Sequence, residues 1–233
     1  MIVHQPKILK IVDHREDIRT FYIDKPKSMT WIEGAHTHLA LDTFSFEDPQ
    51  RKNWVRHMSI MTCDDEDFIG ITTKNYNNAS LYKNELWKLN VGDKIKIFNT
   101  HSNFALNREN KDIVLISMGV GLASCYPLIK AYKKNQKGVK SLTNLTIANH
   151  QLLYPDIDED TYDSYRNIHV NNRQSFYQAI DSFNSNNTLF YVVGSDPFLK
   201  DVLKHLSTID VSKKQVILDK NDLLSYYFLS VLR

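Results

Sequence analysis

The chain has 233 residues, with 29 Lys and Arg against 27 Asp and Glu, a net charge of +2. Near-balanced charge without a long basic block excludes electrostatic capture of nucleic acid as its main role. Two cysteines cannot build a disulfide framework, and 42% hydrophobic residues supply a sizeable core for one or two domains. Glycine is scarce: seven residues, where average usage would give about 16.

Residues 1–10 lack an apolar stretch followed by a cleavage site, so no signal peptide is expected. The longest uncharged stretch, residues 113–129, falls short of the ~20 residues that span a bilayer. The expectation is a soluble cytoplasmic protein with no membrane span.

In chain order, Ile8–Val12, Ile18–Ile23, Thr37–Leu41, Val55–Met61, Phe68–Thr73 and Lys94–Phe98 read as strands from alternation and β-branched content. Short strands with little helix predict a small antiparallel barrel. After residue 107 the texture changes. Ile113–Ser117 is a buried parallel strand, followed by a glycine turn and a helix over Leu122–Asn135. Strands follow at Leu142–Ala148, Ile168–Asn171, Leu189–Val193 and Gln215–Leu218. Helices fall at Ser175–Phe183 and Pro197–Leu206. This alternation predicts a doubly wound parallel α/β sheet. The expected domains are 1–108 and 109–233.

Two strand–glycine–helix turns, Gly119-Val120-Gly121-Leu122-Ala123 and Gly194-Ser195-Asp196, open at carboxyl ends of parallel strands, where such sheets bind ligands. Glycines admit close backbone approach, and helix amino ends favour phosphate. In isolation, a tight turn with no ligand explains the first equally well, and a plain cap by Ser195 or Asp196 is the favoured reading of the second. In the barrel, Arg56-His57-Met58-Ser59 sits on a strand, with Arg56 and Met58 on one face and His57 and Ser59 on the other. Arginine there suits an anion, since guanidinium donates bidentately to phosphate.

In this order the motifs resemble the ferredoxin–NADP reductase superfamily, from about Ile8 to Phe228. Trp31-Ile-Glu-Gly34 resembles the segment leading into the family's barrel, and Arg56-His-Met-Ser59 its Arg-x-Tyr-Ser flavin motif. Phe68 to Lys74 resembles the strand lining the flavin. Asn77-Asn78-Ala79-Ser80 resembles the Gly-x-x-Ser pyrophosphate turn, and Gly92-Asp93 the turn before the next strand. Met118 to Ser124 resembles Gly-x-Gly-Ile-x-Pro, and Val193-Gly194-Ser195-Asp-Pro-Phe198 resembles Cys-Gly-Pro-x-x-Phe. Met58 stands where the family has tyrosine, Asn77 where it has glycine, and Val193 where it has cysteine.

The resemblance implies a barrel that binds FAD and an α/β domain that binds NADPH or NADH. Arg56, Ala79 and Ser80 would hold the FAD pyrophosphate. His57, Thr72, Thr73, Lys74 and Asn78 would line the flavin. Met58 would cover its ring, and Ser59, the catalytic candidate, would face its N5 edge. Residues 119–123 would hold the nicotinamide nucleotide's pyrophosphate, and Gly194, Ser195 and Asp196 would border the nicotinamide pocket. Arg166 and Arg173 are candidates for an adenosine 2′-phosphate, with solvated surface arginines the competing reading. The implied function is an NAD(P)H oxidoreductase passing electrons to a separate acceptor: a flavin, a ferric chelate or a redox protein. The alternative is a slow or non-catalytic flavin-binding subunit of the same fold.

Other features read as structural. His36 and His38 share a strand face without an evident third metal ligand. Cys63 and Cys125 have no metal-site spacing. The acidic run 64–67 reads as a solvated hairpin loop, and 156–163 as a loop or short helix. The 226–228 aromatics read as core, with Tyr226 or Tyr227 a candidate to approach the flavin by resemblance.

Overall fold

The computed structural model describes residues 1–76, 78–149, 153–158, 163–183 and 186–232. It divides into two compact units, Met1–Ser102 and Asn103–Arg233. Asn77, the first residue of the turn compared above with Gly-x-x-Ser, lies outside the described residues, as does part of the acidic run 156–163.

The first unit holds β1 (Ile8–Arg15), β2 (Ile18–Asp24), β3 (Ala35–Leu41), β4 (Val55–Ser59), β5 (Phe68–Lys74) and β6 (Ile95–Ser102). They form two antiparallel three-stranded sheets, β1-β2-β5 and β4-β3-β6. Period-two alternation turns Phe21, Ile23, Leu39, Leu41, Met58, Ile69, Ile71, Ile95 and Ile97 into one core. A helix that the sequence reading leaves out, α1 (Leu81–Trp87), adds Tyr82 and Leu86 to that core. At seven residues it is too short to stand on propensity, so its buried face holds it. The strand read as Val55–Met61 ends at Ser59; Ile60 and Met61 continue by donating their N–H groups to Ala35 and Gly70.

The second unit holds β7 (Lys111–Met118), α2 (Leu122–Lys134), β8 (Val139–Ile147), β9 (Tyr165–Val170) and α3 (Arg173–Asp181). It continues through β10 (Thr188–Val193), α4 (Asp196–Thr208), β11 (Val216–Leu218) and α5 (Asp222–Leu229). All five strands are parallel in the order β11-β10-β7-β8-β9. Val114, Ile116, Phe190 and Val192 pack with the apolar faces of α3 and α4. The side chains of α2 are not in that cluster, yet α2 lies against β7, β8 and β10, so it covers the opposite face. Burial on both faces explains why these strands read as continuous apolar runs.

The 226–228 aromatics divide. Phe228 is buried and joins the α3–α4 side of the core, whereas Tyr226 and Tyr227 are exposed on α5. The reading of the three as core holds for Phe228 alone.

Gly138 reads in sequence as an ordinary loop residue, but its backbone is constrained. Its φ is +79°, and a Cβ there would stand 2.6 Å from the Arg108 carbonyl oxygen. Gly138→Ala is expected to destabilise the chain by more than about 1 kcal/mol, the usual cost of the left-handed conformation alone, with the backbone clash added. Urea unfolding checks this.

Candidate functional site

Arg56 on β4 sets the first candidate site. Its guanidinium lies over the Tyr82 ring, 5.1 Å from the centroid, and Nη1 donates to the carbonyls of Lys52 (2.5 Å) and Val55 (2.7 Å). Tyr82 is fully buried and donates its hydroxyl to the Leu39 carbonyl at 2.9 Å, which ties α1 to β3. The next residue, Lys83, donates Nζ to Thr73 Oγ1 on β5. Burial first, then the charge of Arg56, lowers the Lys83 pKa to about 8. Among the described residues neither cation has a carboxylate partner. Two cations sharing a corner without a counter-charge are the arrangement that a negatively charged group would complement, which makes this corner a candidate anion site. Lys83 is absent from the sequence reading because its helix is. The available signal is Ser80 ahead of Leu81-Tyr82-Lys83, since Ser80 occupies the cap position of α1.

The other predicted barrel residues divide around this corner. Thr73 belongs to it. Thr72, one residue away, turns to the opposite face, where its hydroxyl meets Thr20 Oγ1 at 2.6 Å and Thr20 meets His14 Nε2 at 2.7 Å. Lys74 pairs with Asp17 at 2.9 Å. Ser80 accepts the Lys83 N–H at 3.5 Å; Asn78 and Ser80 are exposed and Ala79 is half-buried. Met58 is 8% exposed and packs in the barrel core. Ser59 is half-buried at the end of β4, opposite His36.

His57 lies across β4 from Arg56, on a face built of histidines. It pairs with His38 across β3–β4, with ring centroids 4.0 Å apart. His36 pairs with His101 across β3–β6 at 4.1 Å. His101 reaches this face because β6 carries an irregularity here, with Asn99 at φ +52°: Phe98 stands opposite His38 and His101 opposite His36. Nδ1 of His36 and Nδ1 of His38 are buried without hydrogen-bond partners. Burial, then the neighbouring imidazoles, lowers both pKa values to about 4. The pair thus has two further histidines beside it. Among the described residues no group of three His, Cys, Asp or Glu is set to hold a metal ion.

In the second unit, β7 has β8 on one side and β10 on the other, so chain connections diverge between β7 and β10. Such a switch point opens a crevice at the carboxyl ends of the strands. Both glycine turns flank it, since Ser117 pairs with Val193 just before them. Residues 119–121 form a single 3-10 turn running into α2. Gly119 has φ +56° and open space where a Cβ would be, while a Cβ on Gly121 would come within 3.1 Å of the Val193 carbonyl oxygen. Gly121 therefore serves strand–helix packing, and Gly119 leaves the turn open. Leu122 and Ala123 bury their side chains, as does Val193, and Val120 is half-buried beside them. Gly194 is held by Phe198, which a Cβ would meet at 2.4 Å. Ser195 occupies the cap position of α4 without a side-chain cap bond, and Asp196 pairs with Lys220 at 2.9 Å.

Register separates the two candidate arginines. Arg166 pairs with Thr143 near the start of β9 and lines a cavity of about 270 Å³ with Asp112, Ser141 and Thr188, at the amino ends of the strands. That is the end of the sheet away from the glycine turns. Arg173 opens α3 just past the carboxyl end of β9, on the same end as the turns, and stands 3.5 Å from Asp201.

A six-stranded antiparallel unit followed by a five-stranded parallel sheet with this strand order is the ferredoxin–NADP reductase fold. No family model and no curated protein matches the chain in sequence. Solved structures match it in fold. A ferredoxin NADP+ reductase from Neisseria gonorrhoeae with bound FAD and NADP superimposes with a TM-score of 0.78 at 17% identity, covering 93% of this chain and 97% of that one. A ferredoxin–NADP+ reductase from Plasmodium falciparum with 2′P-AMP gives 0.73 at 17% identity, covering 93% and 95%. A siderophore interacting protein from Acinetobacter baumannii gives 0.74 at 12% identity, covering 94% and 89%. At these identities the shared property is the fold. Among the described residues no helix is long and apolar enough to cross a membrane.

The histidine face makes a pH prediction. His36 and His38 titrate near 4 in the folded chain against 6.5 for the free side chain. Between those values the unfolded chain binds more protons, so stability is full above about pH 6.5 and falls as pH drops toward 4. Thermal melts from pH 7 to 5 should show a falling Tm, and His38→Gln should flatten that slope. An equal slope in the variant would contradict the assignment.

Proposed function

We propose that this chain is a FAD-dependent NAD(P)H oxidoreductase that passes electrons to a separate acceptor, a free flavin, a ferric chelate or a redox protein. The observation that carries the reading is the pair Arg56 and Lys83, side by side in the barrel with no carboxylate partner among the described residues. A diphosphate supplies the missing charge. In this reading residues 1–108 bind FAD and residues 109–233 bind the nicotinamide nucleotide. Support for the second half comes from the switch-point crevice and the open backbone at Gly119.

The residues present fit the group. Arg56 is held from behind by two backbone carbonyls and by Tyr82, so its guanidinium is pre-oriented for phosphoryl oxygens. Thr73 and Ser80 add hydroxyls that meet Lys83, at Nζ and at the backbone N–H. When bound, FAD supplies a hydride acceptor for nicotinamide and releases electrons one or two at a time, so the protein needs chiefly to bind and orient. This matches an anion site built from cations and hydroxyls with no acid–base pair beside Arg56. In the second unit, residues 119–123 would hold the nucleotide's diphosphate, with Gly194, Ser195 and Asp196 across the crevice. The choice between NADPH and NADH would rest on Arg173, which stands at the same end of the sheet as the glycine turns.

An anaerobic titration tests the reading. Incubated with FAD, the protein should retain a yellow chromophore that NADPH or NADH bleaches. Arg56→Ala should weaken FAD roughly 10- to 150-fold, the effect of losing charge-assisted bonds of about 1.5–3 kcal/mol. A protein that takes up no flavin overturns the proposal. A flavin that binds and never bleaches overturns the enzymatic part and leaves a flavin-binding subunit.

A further inference from the structure

Lys83 asks for an explanation that the fold does not supply. Lysine is seldom taken out of water without a counter-charge, and this one is half-buried, with Arg56 as the charged group acting on it. From β4 the charged group acting on it is Arg56. From β5 it meets only the neutral hydroxyl of Thr73. On its own helix, Tyr82 donates its hydroxyl to the Leu39 carbonyl, and burial keeps that phenol neutral. Replacing Lys83 by an apolar residue would remove a like-charge repulsion from the empty site. Its presence makes sense for a state in which an anion has arrived.

We propose that Lys83 binds the phosphoryl oxygens of the diphosphate beside Arg56 and takes up a proton from solvent as it does so. This rests on the flavin reading above and adds a regulation to it: flavin retention becomes sensitive to alkaline pH. In the flavin-free protein, burial and Arg56 both oppose the ammonium and lower its pKa to about 8. A dianion reverses the electrostatic balance, because the opposite charge now favours the protonated lysine. Nζ then carries its three donors, one able to stay on Thr73 while the others meet oxygen. The proton balance is simple. One proton leaves the buffer and binds neutral Nζ, and no bond of the ligand is broken.

Linkage sets the sign. Below about pH 7 the lysine is protonated with or without ligand, so affinity is level and few protons move. Above pH 8 the empty site has lost its proton, binding must restore it, and affinity falls with pH.

The test is isothermal titration of FAD into the flavin-free protein at pH 7 and pH 9, in buffers of different ionisation enthalpy. The expected uptake is small at pH 7 and approaches one proton per FAD at pH 9, with Kd rising roughly tenfold between them. Lys83→Met should bind FAD more weakly at pH 7 and abolish the uptake. Lys83→Arg keeps its charge throughout, so it should bind with no uptake and a flat profile. Circular dichroism confirms that both variants fold. If the unaltered protein binds FAD with no proton uptake at pH 9, the role of Lys83 is overturned and the flavin reading stands. Equal uptake in both variants likewise overturns the role of Lys83. If FAD fails to bind at either pH, both are overturned.

Discussion

The barrel core and the Arg56–Lys83 corner meet in one side chain, Tyr82. It is fully buried in the barrel core, its hydroxyl reaches the Leu39 carbonyl at 2.9 Å, and its ring lies under the Arg56 guanidinium. One residue further, the chain delivers Lys83 to Thr73. A helix of seven residues cannot hold such an arrangement by its own hydrogen bonds. Burial of Tyr82 and Leu86 holds it, and that burial places both cations. An uncompensated charge in such a corner is costly, and the cost appears as the lowered proton affinity of Lys83. A ligand that brings negative charge turns this cost into affinity.

The second unit depends on a different constraint. Parallel pairing of β7 with β10 sets Ser117 beside Val193, so both glycine turns emerge together at the point where strand order reverses. Gly121 is pinned by the Val193 backbone and Gly194 by Phe198, so these two glycines record packing between strand and helix. Gly119 is the residue whose backbone stays open. In these two turns, Gly121 and Gly194 thus mark close backbone approaches, and Gly119 marks an open one.

Much of the fold is legible in the sequence because burial leaves periodic traces. Alternation marked the barrel strands, and two-sided burial marked β7 and β10 as apolar runs. Two helices escaped. α1 is a single short stretch whose anchor, Tyr82, reads like any aromatic, and α5 carries two exposed tyrosines that obscure its apolar side. Arg56 was legible as a candidate anion ligand from its motif context. Lys83 was not, because its significance comes from Thr73 and Arg56 on other strands. The histidine face was half legible: His36 and His38 follow from alternation, and His57 from the neighbouring strand's phase. His101 joins them only through the irregularity at Asn99, which shifts the phase of β6 and has no signature in local composition. Arg166 and Arg173 looked equivalent in sequence, and strand register alone puts them at opposite ends of the sheet.

The central claim is that Arg56 and Lys83 form a diphosphate site for FAD. A crystal structure of the protein grown with FAD tests it most directly. The account predicts the diphosphate oxygens within hydrogen-bond distance of both the Arg56 guanidinium and Lys83 Nζ. A diphosphate bound elsewhere, with Arg56 turned only to the Lys52 and Val55 carbonyls and Lys83 only to Thr73, would contradict it.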